Sequence, residues 1–148
     1  LALGSQSTKG VDADAADVVR EENLPQMLSF AKKYAQSFGT IIAITGAIDL
    51  VTDGERAYVI RNGCKEMSRI TGTGCQLSGL ITAFLAANPE NALEAVAAAT
   101  CTMGLAGEIG KAHLQEGEGN ASYRNRIIDA VSLMTGEELE KGAKYEIR

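Results

Sequence analysis

Apolar residues recur at three- and four-residue spacing from position 24 to 38. Leu24, Met27, Leu28, Ala31, Ala35 and Phe38 form one stripe, which predicts a helix begun or kinked at Pro25 and ended by Gly39. Positions 40–45, TIIAIT, are a short continuous apolar run, the pattern of a strand buried on both faces. Two β-prone runs at 50–52 and 57–60 flank Asp53-Gly54, where glycine accepts the positive φ a tight turn needs, so a hairpin is predicted. Leu77, Leu80, Ile81, Phe84 and Leu85 give the apolar positions of a helix over 75–87. Asn88 and Pro89 stop that helix and start an Ala-rich one reaching to about Leu114, with Asn88 as cap. After a loop at 116–120, Ser122 is expected to cap a helix through Met134, with Tyr123, Ile127, Ala130 and Val131 on one side. A short helix near 137–141 then leads into a frayed tail. At the other end, Leu1-Ala2-Leu3-Gly4 reads as a last helical turn with its glycine stop, 5–12 as a loop, Asp12 or Asp14 as a cap, and 15–20 as a short helical piece.

Helix, glycine and buried strand in succession is α/β grammar. The tally, however, is five helices against one buried strand and one hairpin, which is too little sheet to cover so many apolar stripes. The other strands are expected from a missing N-terminal half or from another chain. At 148 residues, with hydrophobic residues at 45% and charged ones at 22%, the chain has the size and balance of one globular domain or part of one. Aromatics are only 5% and Trp is absent, so the core must be built from Ala, Ile, Leu and Val.

The net charge of -5 and the scattering of Lys and Arg argue against a nucleic-acid partner. A small phosphorylated ligand stays open, because backbone amides hold phosphate without net positive charge. The three cysteines, Cys64, Cys75 and Cys101, form no C-x-x-C pair, which disfavours a disulfide framework or a zinc site and fits a reducing cytoplasm. No signal peptide opens the chain, and no apolar run approaches the roughly 20 residues that cross a bilayer.

The candidate chemistry lies at Gly72-Thr73-Gly74-Cys75, after a β-prone stretch at 67–71 and at the start of a helix. Glycines let the backbone turn tightly and come close to a ligand. The first amides of a helix have no internal partners, and the helix dipole adds positive potential there. Thr71 and Thr73 can add hydroxyl donors. Together these make an anion hole for a transferring phosphoryl group, whose charge sits on its outer oxygens. Spacing alone favours a plain tight turn before a helix over a phosphate loop. The loop is neither a Walker A motif, since no Gly-Lys-Ser/Thr follows, nor a Rossmann fingerprint, since position 77 is Leu.

The stretch Met67-Ser68-Arg69-Ile70-Thr71-Gly72-Thr73-Gly74-Cys75-Gln76-Leu77-Ser78 resembles the signature of hydroxyethylthiazole kinases, thiamine-salvage enzymes of the ribokinase-like superfamily. Thr45-Gly46-Ala47-Ile48-Asp49-Leu50-Val51-Thr52-Asp53-Gly54 is similar to that family's preceding strand and hairpin, Lys9-Gly10-Val11-Asp12 to an upstream loop, and Ser122-Tyr123 with Ile128-Asp129-Ala130 to its closing helix. The resemblance implies the C-terminal portion, 1–148, of a ribokinase-like three-layer α/β fold: a mainly parallel sheet flanked by helices. It implies phosphorylation of the alcohol of 4-methyl-5-(2-hydroxyethyl)thiazole by ATP with Mg²⁺, in a cytoplasmic homotrimer. By position it gives Gly72, Thr73, Gly74 and Cys75 as the anion hole, Cys75 as the catalytic residue, Gly72 as substrate-binding and Thr45 as ATP-binding. It gives no metal ligand within this chain. Most ribokinase-like enzymes have an Asp base where Cys75 stands. A thiol titrates near about 8.5 and lower at a helix N-terminus, so it can take the alcohol proton, although a loose transition state needs little base help. The family is about twice this length, and its magnesium-placing Asn-Ala-Ser-Glu segment falls before residue 1. The chain alone is therefore expected to be inactive. Gly117-Glu118-Gly119-Asn120-Ala121-Ser122-Tyr123 is longer than the family's usual Gly-x-Gly-Ser-Phe, so the nucleotide edge is expected to differ.

Two rival readings stand beside this one. Another ribokinase-like enzyme, a hydroxymethylpyrimidine kinase or a hydrate repair enzyme, would favour Asp at position 75. A non-catalytic nucleotide-binding fragment would use the loop without chemistry. Other features have plain explanations. His113 is expected at a helix end on the surface, Cys64 and Cys101 in ordinary packing, and Gly104, Gly107 and Gly110 where helices pack closely, since each glycine costs a helix about 1 kcal/mol.

Overall fold

A computed structural model describes residues 8–9, 12–13 and 18–148. The helical turn expected at 1–4, a cap at Asp14 and the helical piece at 15–17 lie outside the described residues. Residues 18–20 are not helical. Within the expected loop at 5–12, strands β1 (Thr8–Lys9) and β2 (Asp12–Ala13) pair antiparallel, so Asp12 is a strand residue and not a helix cap.

Helix α1 (Leu24–Phe38) has Pro25 in its first turn, where no intrahelical N–H is needed, and ends at Gly39 in the left-handed conformation. Then come β3 (Ile42–Ile44), β4 (Asp49–Thr52) and β5 (Ala57–Ile60). The predicted hairpin joins β4 to β5. Asp53 Oδ1 accepts from the amides of Glu55 and Arg56, and Gly54 takes φ 102° against Gln36 of α1. The tail does not fray. After α5 (Gly136–Gly142), β6 (Tyr145–Ile147) adds to β5 and completes a four-stranded sheet of order β3-β4-β5-β6.

Every ladder of that sheet is antiparallel, so the mainly parallel sheet expected from the resemblance is not what these residues form. Tight connections impose this on the first two ladders: β3 reaches β4 through residues 45–48 and β4 reaches β5 through 53–56, far shorter than the dozen or more residues a parallel crossover needs. The expected two-sided burial of 40–45 also fails, because β3 is an edge strand and Ala43 is exposed.

Alternation along β4 and β5 divides the core into two layers. Leu50 and Val59 face α1, where they pack with Val19 and Leu24. Val51, Tyr58 and Ile60 face the other way, against Leu93, Val96, Ala97 and Cys101 of α3 (Ala92–Ala112). The fold is therefore α/β with helices on both faces of the sheet.

Helix α3 is the centre of the molecule, with 14 of its 21 residues buried. By length and composition, Pro89–Ala112 is apolar enough to cross a bilayer, against the expectation from the sequence, but 72% of the apolar 18-residue window within it is buried inside the protein. Its glycines explain how so many elements crowd it. A Cβ on Gly104 would lie 2.7 Å from the Asn62 backbone, one on Gly107 would meet Met67, and one on Gly110 would lie 3.1 Å from the Ile127 amide nitrogen. Close packing, as expected, accounts for all three.

Candidate active site at the start of helix α2

Helix α2 (Thr73–Ala87) begins two residues earlier than its apolar pattern suggested, and Gly72 is its N-cap at φ 93°. Only glycine adopts that conformation without strain. The preceding segment, expected to be β-prone, is instead a 3-10 helix over Lys65–Arg69. It turns the chain so that Ile70 enters a core cluster with Met103, Ala106, Tyr123 and Ile127. That anchor fixes the base of the loop.

No side chain caps α2. The Gly72 carbonyl accepts from the Gln76 amide at 3.0 Å, which closes the first helical turn. The amides of Thr73, Gly74 and Cys75 have no hydrogen-bond partner among the described residues. A Cβ built on Gly72 or Gly74 meets nothing within 4 Å, so the space before the helix end is open. Three unpaired N–H groups at the positive end of a 15-residue helix are the physical requirement for holding an anion. The Thr73 hydroxyl is directed back to the Ile70 carbonyl at 3.4 Å, and Thr71 and Cys75 are exposed.

Thr45 follows directly on β3 and is exposed. Sequence reading gave no role to its neighbour Asp49, the first residue of β4. The Gly46 amide donates to Asp49 Oδ1 at 2.8 Å, so this carboxylate ties down the connection that begins at Thr45. Burial pushes the Asp49 carboxyl up to about 6, against the pull of that one hydrogen bond. Burial likewise pushes the Cys101 thiol on α3 up to about 11, and the Asp49 charge adds to the effect. The signal was present in the sequence: Asp49 is an acid inside the apolar run Ala47-Ile48-Asp49-Leu50-Val51.

Beside the base of the glycine loop lies a cleft of about 160 Å³ whose lining includes Glu66, Arg69, Lys111, Glu118, Asn120 and Tyr123. Asn120 Nδ2 donates to the Arg69 carbonyl at 3.2 Å, joining α4 (Asn120–Leu133) to the loop. Helix α4 starts at Asn120 with Gly119 as N-cap, not at the expected Ser122, because Arg126 grips Glu118 through both carboxylate oxygens and folds the glycine segment back. Tyr123 closes the cleft floor: its hydroxyl donates to the Gly107 carbonyl at 2.9 Å and lies 3.1 Å from Cys64 Sγ, and burial raises its phenol well above the ordinary range. His113 is the exposed C-cap of α3 and Cys101 is buried in the sheet-facing core, both as expected.

Residues 1–137 match the model of the hydroxyethylthiazole kinase family. The chain belongs to that family. It is 48% identical over 146 residues to a hydroxyethylthiazole kinase of Clostridium acetobutylicum, covering 99% of this chain and 54% of the relative. It is 37% identical over 125 residues to a hydroxyethylthiazole kinase 2 of Clostridium botulinum strain Okra, covering 84% of this chain and 45% of that one. Among solved structures it is similar to a hydroxyethylthiazole kinase protein from Pyrococcus horikoshii OT3, with a TM-score of 0.75 and 29% identity over 86% of this chain and 49% of the other. The chain thus spans about half the length of the family members it matches.

Proposed function

We propose that this chain is the C-terminal portion of a single kinase domain that transfers the terminal phosphoryl group of ATP to the hydroxyl of 4-methyl-5-(2-hydroxyethyl)thiazole. The observation that carries the reading is the open start of α2, with three unpaired amides facing free space at the positive end of the helix. The alcohol oxygen attacks the terminal phosphorus, the bond from that phosphorus to the ADP oxygen breaks, and the alcohol proton leaves. The amides of Thr73, Gly74 and Cys75 hold the outer phosphoryl oxygens through the transfer, where fixed dipoles are most effective. Gly72, lacking a side chain, lets the alcohol approach the same point. Cys75 stands beside the reacting hydroxyl and receives its proton. Thr45 contacts the nucleotide from the end of β3.

The described residues contain no group of three or more His, Cys, Asp or Glu fit to hold a metal ion. Magnesium keeps most of its waters and is held by one or two carboxylates together with nucleotide phosphates, and its protein ligands are expected elsewhere in the domain. The other half of the domain supplies the parallel strands and the rest of the thiazole pocket, and the complete enzyme is a cytoplasmic homotrimer. The matched length supports this division, since each relative carries about as much polypeptide again.

The test is to join this chain to the uncovered N-terminal part of the Clostridium acetobutylicum relative and measure ADP release with and without the thiazole alcohol. Thiazole-dependent turnover in the joined protein, with none in the 148-residue chain alone, is the expected result. ATP binding with no thiazole-dependent turnover would instead support the non-catalytic reading.

A further inference from the structure

Two turns of the four-stranded sheet are held in unequal ways. The β4–β5 turn is stitched from several sides. Asp53 Oδ1 accepts from the amides of Glu55 and Arg56, and the Thr52 hydroxyl donates to the Arg56 carbonyl and accepts from the Gly54 amide. Gln36 and Lys32 of α1 donate to the carbonyls of Gly54 and Glu55. In the β3–β4 connection at 45–48, the bond from the Gly46 amide to Asp49 Oδ1 at 2.8 Å is the one hydrogen bond outside the ladder among the described residues.

The sparsely held connection lies at the end of the sheet from which the glycine loop is reached. Asp49 stands opposite Ile60, the last residue of β5, and from there the chain runs through the 3-10 helix over Lys65–Arg69 to Gly72. Thr45 and the path to the loop therefore leave the sheet at the same end, with the β4–β5 turn at the other. Thr45, Gly46 and Ala47 are exposed, while Ile48 is buried in the cluster with Val19 and Leu24. Packing anchors the far limb of the connection, and the near limb, which carries Thr45, depends on Asp49.

Holding the turn this way costs stability. Asp49 is half-buried on the α3 side, where its charge reaches Cys101 and burial raises its carboxyl. No Lys, Arg or His among the described residues pairs with it. A half-buried carboxylate without a cation is unfavourable, but a hydrogen bond to it is about twice as strong as one to a neutral acceptor. We propose that Asp49 is a positioning residue for the nucleotide: its carboxylate holds the Gly46 amide and so sets where Thr45 stands when ATP binds. The inference rests on the Thr45 contact in the proposed function.

Calorimetric titration of ATP into the joined protein tests this apart from turnover. Asp49→Ala should weaken ATP binding about tenfold, the worth of one charge-assisted bond, and raise the KM for ATP to match. Its kcat and its KM for the thiazole alcohol should change by less than about twofold, since only the nucleotide's contact is displaced. Asp49→Asn keeps a neutral acceptor and should recover most of the affinity, to within about threefold of the parent. Because Asp49 acts through the turn, Thr45→Ala combined with Asp49→Ala should bind ATP no more weakly than Thr45→Ala alone. Unchanged ATP affinity in Asp49→Ala, no recovery with Asn, or additive losses in the double variant would overturn the assignment. So would a lowered kcat with both KM values unmoved, the mark of lost folded protein. Full ATP affinity in Thr45→Ala would remove the Thr45 contact and the inference with it. Tenfold weaker ATP binding in Asp49→Ala of a joined protein without thiazole-dependent turnover would sustain the positioning role and remove the kinase reading.

Discussion

Helices α2 and α3 are both rich in apolar residues and glycine, and one short turn joins them, yet they have opposite surroundings. Helix α3 is enclosed by strands and by three other helices, and a Cβ on any of Gly104, Gly107 or Gly110 would press on a neighbour. Helix α2 touches the core along one side only, and a Cβ on Gly72, Gly74 or Gly79 meets nothing. Glycine in a helix costs about 1 kcal/mol wherever it stands. In α3 that cost is offset by packing. For Gly74 and Gly79 of α2 nothing within the described residues offsets it, which is what a backbone kept bare for a ligand would look like.

Substitution at the two sets of glycines should therefore fail in different ways. Gly74→Val in the joined protein should lower thiazole-dependent turnover by about 10²–10³-fold, the loss typical when a fixed donor to a developing anion is blocked. The same substitution in this chain should change the unfolding free energy by less than about 0.5 kcal/mol, as for an unpacked surface position. Near-normal turnover of the variant would remove the anion hole from α2.

A second test concerns the α3 side of the sheet, where Asp49 is half-buried. Its carboxyl titrates at about 6 in the folded chain against 3.8 without burial. The folded state therefore holds this proton more tightly than the unfolded state does. The resulting stabilisation is full below 3.8 and fades as pH rises through 6, and at pH 7 the ionised group costs the fold up to about 3 kcal/mol. Asp49→Asn keeps an acceptor for the Gly46 amide and removes the charge. Urea unfolding at pH 5 and pH 7 should show the variant more stable at pH 7, with its own pH dependence flattened over that interval. An unaltered pH dependence would mean that Asp49 is solvated.

Third, Gly104→Ala should cost about 2 kcal/mol, because its methyl group would overlap the Asn62 backbone and not a flexible side-chain end. The chain should stay folded with a lower urea midpoint. A neutral result would put α3 on a par with α2 and dissolve the contrast between them.

Much of this contrast was legible in the chain, and the failures have physical causes. Helix α1 and its Gly39 stop were readable because an apolar stripe, a first-turn Pro and a left-handed glycine all agree. The hairpin was readable from Asp53-Gly54. Strand β6 was not, because Tyr145, Glu146 and Ile147 show no run long enough to register, and their pairing with β5 is a long-range event. The run at 67–71 looked β-prone, but local bonds such as Met67 N to the Cys64 carbonyl hold it in a 3-10 turn. The antiparallel sheet departs from the parallel expectation because the connections at 45–48 and 53–56 are too short for a crossover and the third ladder is a long-range pairing. As for the site, the glycine loop alone was ambiguous and resemblance selected it. Asp49 was overlooked because its importance lies in burial, which a sequence shows only as one acid among apolar neighbours.

The smallest effect bears on why the start of α2 is bare. Helix α5 begins with a full capping box: the Thr135 hydroxyl accepts from the Glu138 amide at 3.2 Å, and the Glu138 carboxylate accepts from the Thr135 amide at 2.8 Å. Thr135→Ala should cost about 1 kcal/mol in urea unfolding. Thr73→Val, at the uncapped α2, should cost less than half of that, since its hydroxyl makes only a 3.4 Å contact with the Ile70 carbonyl and caps no amide. A chain able to build a complete cap at a seven-residue helix leaves the 15-residue helix open. If Thr73→Val proved as costly as Thr135→Ala, the threonine would be closing the α2 end after all, and its amides would not be free to take a phosphoryl group.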